Sequence, residues 1–438
     1  MQKAFIQRWI EENPACKGVG WEPYPISLRI VNWVKWMSKQ KDVNSLWIQS
    51  LIQQADALSQ QLEYHILGNH LFANAKALVF IGCFLNSAAS ERFLKLGLRL
   101  LDREVPEQFL KDGGHFELSP MYHQIVLWDL LDLICLAEIC QNDELLERSM
   151  EWRTIAEGAL HWLATMSHPD GEISFFNDST FGVAPKNHII QQYAKKLGIE
   201  RKNVQRKYAV HLVDSGYISL ANNASDKLIV DVGTVGPNYQ PGHAHADTLS
   251  FELSLFNKRV FVNSGISEYG TGKERQFQRS TSAHNTVVVD DKDSSEVWAG
   301  FRVARRALTK NIELKNEENS KLIFAEHDGY MRLPGKVIHR RSWDYSENEL
   351  IVKDNVSGNF TKCSAHFLLH PEVSIVELKN NELLLRVNDS KKITATFYNV
   401  KYILIEKAYW YPSFGVSMVT NRIVVEFESS EVISKFRW

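Results

Sequence analysis

The sequence predicts a two-domain α+β protein, an N-terminal incomplete helical array followed by a C-terminal antiparallel β-sandwich. Two observations carry this. From about Ile26 to Leu197 apolar residues recur at helical spacing, and from residue 217 onward they alternate in short runs. The charged stretch Lys195–Lys207 separates the two patterns, and the boundary is drawn between residues 204 and 205.

Helices are expected near 26–39, 44–64, 69–85, 88–112, 119–140, 144–166 and 185–198. The breaks between them carry turn residues: Lys41-Asp42-Val43-Asn44, Gly68-Asn69, Gly113-Gly114, Asn142-Asp143 and Asp170-Gly171. Asn44 and Ser119 suit N-cap positions, and Pro120 falls where the first turn of a helix tolerates proline. Short connections make successive helices antiparallel neighbours, so the simplest packing is a curved array of helical hairpins. Strands are expected over 217–221, 227–232, 249–256, 285–290, 322–327, 349–354, 382–387 and 423–427. Their short alternating runs, with Asn, Asp, Gly and Lys between them, suggest a sandwich.

The chain has 438 residues and a formal charge of −2. Near-neutrality argues against a dedicated nucleic-acid binder, which needs a basic surface, but leaves room for an anionic substrate held by a few local cations. No apolar run approaches the roughly 18 residues of a membrane span. Five cysteines, an odd count without a Cys-x-x-Cys pair, predict no disulfide framework. The N-terminus lacks a secretion signal, so the chain as written is expected in the cytoplasm, or outside it if the sequence is trimmed. Oligomeric state is not legible.

Candidate chemistry clusters in a few places. In Gly242-His243-Ala244-His245-Ala246-Asp247 a strand would put His243, His245 and Asp247 on one face. Such a face suits a metal or acid/base site, and a polar strand end in solvent is the plain alternative. Ser282-Ala283-His284 is expected to begin another strand; His284 is either a hydrogen-bonded structural residue or, with His245, a second zinc ligand. Asn263, in VFVNSG, could add an amide oxygen. In the helical half, Asn69 and His70 open one helix, with Asn69 a candidate N-cap. Glu117 to His123 opens another, where Tyr122 and His123 either pack or face a groove.

These residues resemble a known family. GNHLFANAKALVF (68–80), ELSPMYH (117–123), PGHAHADTLSFELS (241–254), SAHNTV (282–287) and HDGY (327–330) look like the heparinase II/III-like polysaccharide lyases, in order and over nearly the whole chain. The resemblance implies an incomplete (α/α) toroid followed by an antiparallel β-sandwich, in agreement with the two periodicities. It also implies an acidic, uronate-containing polysaccharide as substrate, cleaved by β-elimination. Residue by residue, it implies that Asn69 and His70 contact the substrate carboxylate, that Tyr122 is the catalytic tyrosine, and that His243 is the catalytic histidine. It further implies that His245 and His284 bind a structural zinc, with Asn263 standing where the family commonly has aspartate. That replacement removes a negative charge from the metal site. The chain is short at its N-terminus for this family, which implies fewer toroid helices.

β-Elimination must remove a proton next to a carboxylate whose charge opposes the carbanion, so that carboxylate needs hydrogen-bond donors; an Asn amide and an imidazole suit. Tyr122 is then expected as general acid at the leaving oxygen and also as a candidate base, with His243 the alternative base. A phenolate needs nearby positive charge, which His123, His70 or His243 could supply. Tyr239 is a further acid/base candidate. Arg275 and Arg279 read as substrate contacts or as solvated loop charges. Asn177-Asp178 and His339-Arg340-Arg341 read as structural, the latter as strand-edge charge. Two other functions stay open. One is a glycoside hydrolase, needing a carboxylate pair from Glu117, Asp129 and Asp178. The other is a non-catalytic glycan-binding protein or an accessory to surface-polysaccharide production.

Overall fold

The computed structural model describes residues 2–200 and 208–438. The expected division at 204/205 lies outside the described residues. The architecture is helical first and antiparallel β after it, as the two periodicities require: an incomplete (α/α) toroid and a β-sandwich. The helices are α1 (Gln2–Glu12), α2 (Pro23–Met37), α3 (Ser45–Gln60), α4 (Gly68–Phe84), α5 (Ala88–Gln108), α6 (Pro120–Cys140), α7 (Asp143–Thr165), α8 (Asn187–Lys196) and α9 (Lys273–Arg279). By contacts the chain forms two compact units. The first comprises residues 1–110, 125–157 and 193–199; the second comprises 111–124, 158–192 and 200–438.

In the first unit α4 packs on α2 and α5. It is buried nearly all round, which is why its sequence is apolar on every face rather than along one stripe. The polar exception is Lys76. Its ammonium lies 2.6 Å from both Asp129 and Asp132 of α6, and the same Asp132 takes Lys35 at 2.5 Å and the Tyr193 hydroxyl at 3.0 Å. A buried cation among two carboxylates stays charged, although burial opposes it. Asn44 caps α3 as expected, accepting from the Leu46 amide at 2.9 Å. Asn69 does not cap α4. Leu67 occupies that position in a left-handed conformation (φ 63°), and Asn69 sits within the first turn.

The second unit holds the sheets. Strands Ala209–Leu212, Tyr217–Leu220, Lys227–Asp231, Phe251–Leu255 and Lys258–Phe261 form a five-stranded antiparallel meander. An eight-stranded antiparallel sheet and a four-stranded one follow. All three contribute to one continuous apolar core that includes Leu253, Phe261, Val287, Trp343, Phe367 and Phe436. Strands Ile338–Ser346 and Glu349–Ser357 alternate buried and partly exposed residues along their length, the period-2 signature of a half-covered sheet.

Register in the eight-stranded sheet produces a buried polar chain. His327 stands opposite His339, and Arg341 opposite Asp354. Asp354 accepts from Arg341 Nε at 2.6 Å and from His339 Nε2 at 2.7 Å, while His339 Nδ1 meets His327 Nε2 at 3.1 Å. The strand-edge reading of His339 and Arg341 is therefore corrected: both are fully buried on an interior strand, and only Arg340 points outward.

Candidate active site

Three turns of the second unit assemble the site. Ser119 precedes α6, and its hydroxyl accepts from the Tyr122 amide at 3.2 Å, fixing Tyr122 in the first helical turn. The same hydroxyl donates to the Asp178 carbonyl at 2.6 Å, so the start of α6 is tied to the loop at 177–180. That loop is zipped in turn to the histidine segment. The Asp178 amide donates to the His243 carbonyl at 3.0 Å, and the His245 amide donates to Asn177 Oδ1 at 3.0 Å. Asn177 Nδ2 reaches the Leu118 carbonyl at 2.9 Å. Leu118 (φ 60°) and Asn177 (φ 55°) are both left-handed, strain of the kind that accumulates where side chains must be aimed. Gly113, ahead of this turn, packs against α7. At φ 90° its α-carbon lies against the Gly158 backbone, where a β-carbon would collide.

The histidine segment differs from expectation. Residues 241–250 form turns, and the strand begins only at Phe251, so His243, His245 and Asp247 share no strand face. The backbone groups that a ladder would use go elsewhere: Ala246 N to Arg279 O, Ser250 N to Asp247 O, and His245 N to Asn177. His284 likewise follows a 3₁₀ turn, Thr281–Ala283, rather than opening a strand.

Asp178 is the hub. Its carboxylate accepts from His243 Nδ1 and His245 Nε2, both at 2.8 Å, and takes the Arg275 guanidinium end-on through Nη1 and Nη2. Burial opposes its charge, but Arg275 and the two imidazole donors outweigh burial and hold the carboxyl well below the usual range. Donating Nδ1 to Asp178 leaves His243 Nε2 as the available nitrogen, 3.4 Å from Glu117 Oε2. The Tyr122 ring stacks on the His243 ring, centroids 3.9 Å apart. Its hydroxyl meets the Tyr269 hydroxyl at 2.8 Å. Burial, Tyr269 and Asp178 raise the Tyr122 hydroxyl well above the ordinary phenol value, so it is a neutral proton donor. A rim of partly exposed aromatic rings surrounds the pair. Phe301 lies 5.8 Å from His243 and 5.2 Å from Tyr269, Phe414 lies 4.9 Å from Tyr269, and Tyr239 stands 6.2 Å from Phe116.

The remaining expected residues divide. His123 is fully buried, with Nε2 on the Ala159 carbonyl at 3.0 Å and its ring on Trp162; burial pulls it down to about 3. It is a core residue and supplies no positive charge to Tyr122. Arg279 is also fully buried, and its guanidinium is spent on the carbonyls of Ala244, Trp298, Ala299 and Arg302. It braces the loops instead of presenting a cation to a ligand. Tyr239 is 54% exposed and stands beside Phe116. Asn69 and His70 lie in the first unit. There Asn69 bonds the Tyr24 hydroxyl, while His70 stacks on Tyr24 at 4.4 Å and bonds Glu63 Oε1 at 2.9 Å. Sequence reasoning missed Asp178 as the hub and Tyr269 altogether. The signal for Asp178 was Asn177-Asp178-Ser179-Thr180, four consecutive polar residues that are all buried.

His245 and His284 are the two imidazoles expected to bind zinc. His245 Nδ1 and His284 Nε2 are 3.2 Å apart, with His245 Nε2 committed to Asp178. Burial lowers both imidazoles, His245 to about 4, so the contact is a neutral N–H···N hydrogen bond. The His339–His327 pair in the sheet core has nearly the same spacing, 3.1 Å. The Asn263 amide meets the Asn285 amide at 3.4 Å and Ser250 at 3.5 Å. Among the described residues no group of three or more His, Cys, Asp or Glu is placed to hold a metal ion. A structural zinc takes four ligands. Two imidazoles and a neutral amide do not make up that set.

Residues 204–438 match the model of the heparinase II/III-like C-terminal domain, and residues 2–208 match that of the heparinase II/III N-terminus. A heparin-sulfate lyase of Bacteroides stercoris is 26% identical over 318 residues, covering 68% of this chain and 45% of that protein. One of Bacteroides thetaiotaomicron is 26% identical over 393 residues, covering 79% and 53%. The chain thus spans about half the length of the curated relatives it matches. A crystal structure of heparinase III superposes with a TM-score of 0.81 at 19% identity, over 100% of this chain and 73% of that one. With both halves matched in the order that the sequence motifs follow, the chain belongs to the heparinase II/III-like family.

Proposed function

We propose that the protein is a polysaccharide lyase that cleaves a uronate-containing acidic polysaccharide by β-elimination. The observation that carries the reading is the stacked pair of Tyr122 and His243: a neutral phenol and an oriented imidazole, two proton-transfer groups side by side. In this reading His243 Nε2 takes the C5 proton. Asp178 fixes the ring through Nδ1, and Glu117 stabilises the charge that arrives. Tyr122 gives its proton to the leaving O4 and regains one through Tyr269. The elevated phenol favours Tyr122 as acid over Tyr122 as base. Asn69 and His70 are assigned, from the family resemblance, to hydrogen-bond the substrate carboxylate so that charge can move onto it. Exposed Tyr239, Phe301 and Phe414 offer flat faces for sugar rings. The relatives named heparin-sulfate lyases make a glycosaminoglycan the first substrate to try.

The hydrolase alternative is disfavoured by Asp178. A carboxylate tied to one guanidinium and two imidazoles is held ionised and cannot act as a general acid, and Asp129 is bound to Lys76 in the first unit. The test is a panel of heparan sulfate, chondroitin sulfate and alginate, followed by ultraviolet absorbance of the C4–C5 double bond. Absorbance on at least one uronate polymer, lost in Tyr122→Phe and His243→Ala, is expected. Polymer binding with no absorbance, or new reducing ends without the double bond, would overturn the reading.

A further inference from the structure

The first unit contains a second chemically distinct cluster. α4 and α6 are cross-linked by Lys76 between Asp129 and Asp132. About two turns further along each helix stand Cys83, next to last in α4, and Cys140, the last residue of α6. Because both lie on the C-terminal side of the same rung, the helices run in parallel and the thiols form the next rung. Their thiols open onto one cavity and interact with each other. Both are half-buried and line a cavity of about 260 Å³ with Val34, Phe80 and Ile139. Cys135 lines the same cavity, but its thiol bonds the Tyr193 hydroxyl instead.

We propose that Cys83 and Cys140 are a dithiol–disulfide couple, oxidised by a low-molecular-weight disulfide. The Cys140 thiolate attacks one sulfur of the oxidant and expels one thiolate, which takes up a proton. Cys83, having given its proton to solvent, attacks the Cys140 sulfur of the mixed disulfide and expels the second thiolate. Two protein thiols become one disulfide while one small disulfide becomes two thiols. Two features support this order. Interaction with Cys83 lowers the Cys140 thiol below its ordinary range, which favours it as the attacking thiol, and the cavity gives a small oxidant a way in. Helix ends leave the backbone free to reach disulfide geometry. The product joins the C-terminal ends of α4 and α6, and α4 carries Asn69 and His70 in its first turn. The inference is independent of the proposed lyase activity.

The experiment treats the reduced full-length protein with oxidised glutathione and measures intact mass under denaturing acid, followed by peptide mapping. The expected product has lost two hydrogens, carries no glutathione, links Cys83 to Cys140, and leaves three of the five cysteines open to alkylation. Cys83→Ser should instead trap one glutathione on Cys140, and Cys135→Ser should still close the bond. Five alkylatable thiols after oxidation, a bond to Cys135, or stable glutathione on both Cys83 and Cys140 would overturn the proposal. The wild-type map alone decides the matter if a variant fails to fold.

Discussion

The Tyr122 hydroxyl is bonded to the Tyr269 hydroxyl, 2.8 Å away, while its ring lies flat on His243. One face of the phenol thus meets an imidazole and its tip meets a second phenol, which gives the proton an exit and a source. Tyr122→Phe should lower turnover at least a hundredfold with the melting temperature little changed. Tyr269→Phe should lower kcat by about tenfold, because reprotonation then comes from water. Steady-state rates on the responsive polymer check both, and equal activity of Tyr122→Phe and wild type would remove the assignment. Burial keeps Tyr122 protonated, so any alkaline loss of rate below pH 10 must come from another group.

Removing Arg275 should destabilise the fold as well as the site. Its guanidinium is the only full cation that the described contacts place on Asp178, and Arg275→Met leaves a buried carboxylate short of its main partner. The expected cost is about 3–5 kcal/mol by denaturant unfolding. The pH sign follows from Asp178, whose folded pKa is depressed. Its stabilising contribution is complete above the unfolded value and is lost as pH falls through the folded one. Wild type and Asp178→Asn should therefore differ most at neutral pH and converge in strong acid.

His123 predicts a different acid sensitivity. Buried and neutral, it is pulled down to about 3, so below the unfolded value near 6.5 the unfolded chain binds a proton that the folded chain does not. Stability should fall by about 2–3 kcal/mol from this residue between pH 6.5 and 4.5. His123→Leu should flatten that slope. Melting curves at the two pH values measure it, and an unchanged slope would count against the assignment.

The incomplete donor set at His245 and His284 predicts indifference to chelators. Extended dialysis against a strong chelator should leave the melting temperature within a degree and any activity intact. A drop of several degrees, restored by zinc, would mean that other donors complete a metal site.

Much of the fold was legible because burial imprints its period on the chain. All seven expected helices are present with ends shifted by a few residues, and the expected strands align with observed ones. α1 escaped notice because only Ile6 of its residues is buried, so no apolar stripe repeats. The site was legible in its residue types but not in its wiring. Tyr122 and His243 do meet, yet the expected strand around His243 is replaced by turns. Side chains such as Asn177, and main-chain groups such as the Arg279 carbonyl, claim the backbone bonds there, and local periodicity cannot report such distant partners. Arg279 and Arg275 look alike in sequence. One is consumed by carbonyls, the other by Asp178, and only the tertiary fold decides which.

The buried run of Arg341, Asp354, His339 and His327 repeats, in the same order, the run of Arg275, Asp178, His245 and His284; only the latter is extended by His243. The protein therefore carries its own internal standard. Matching replacements in the distal copy measure what it costs merely to disrupt such a wire, and subtracting that from the effect at Asp178 isolates the share that belongs to chemistry.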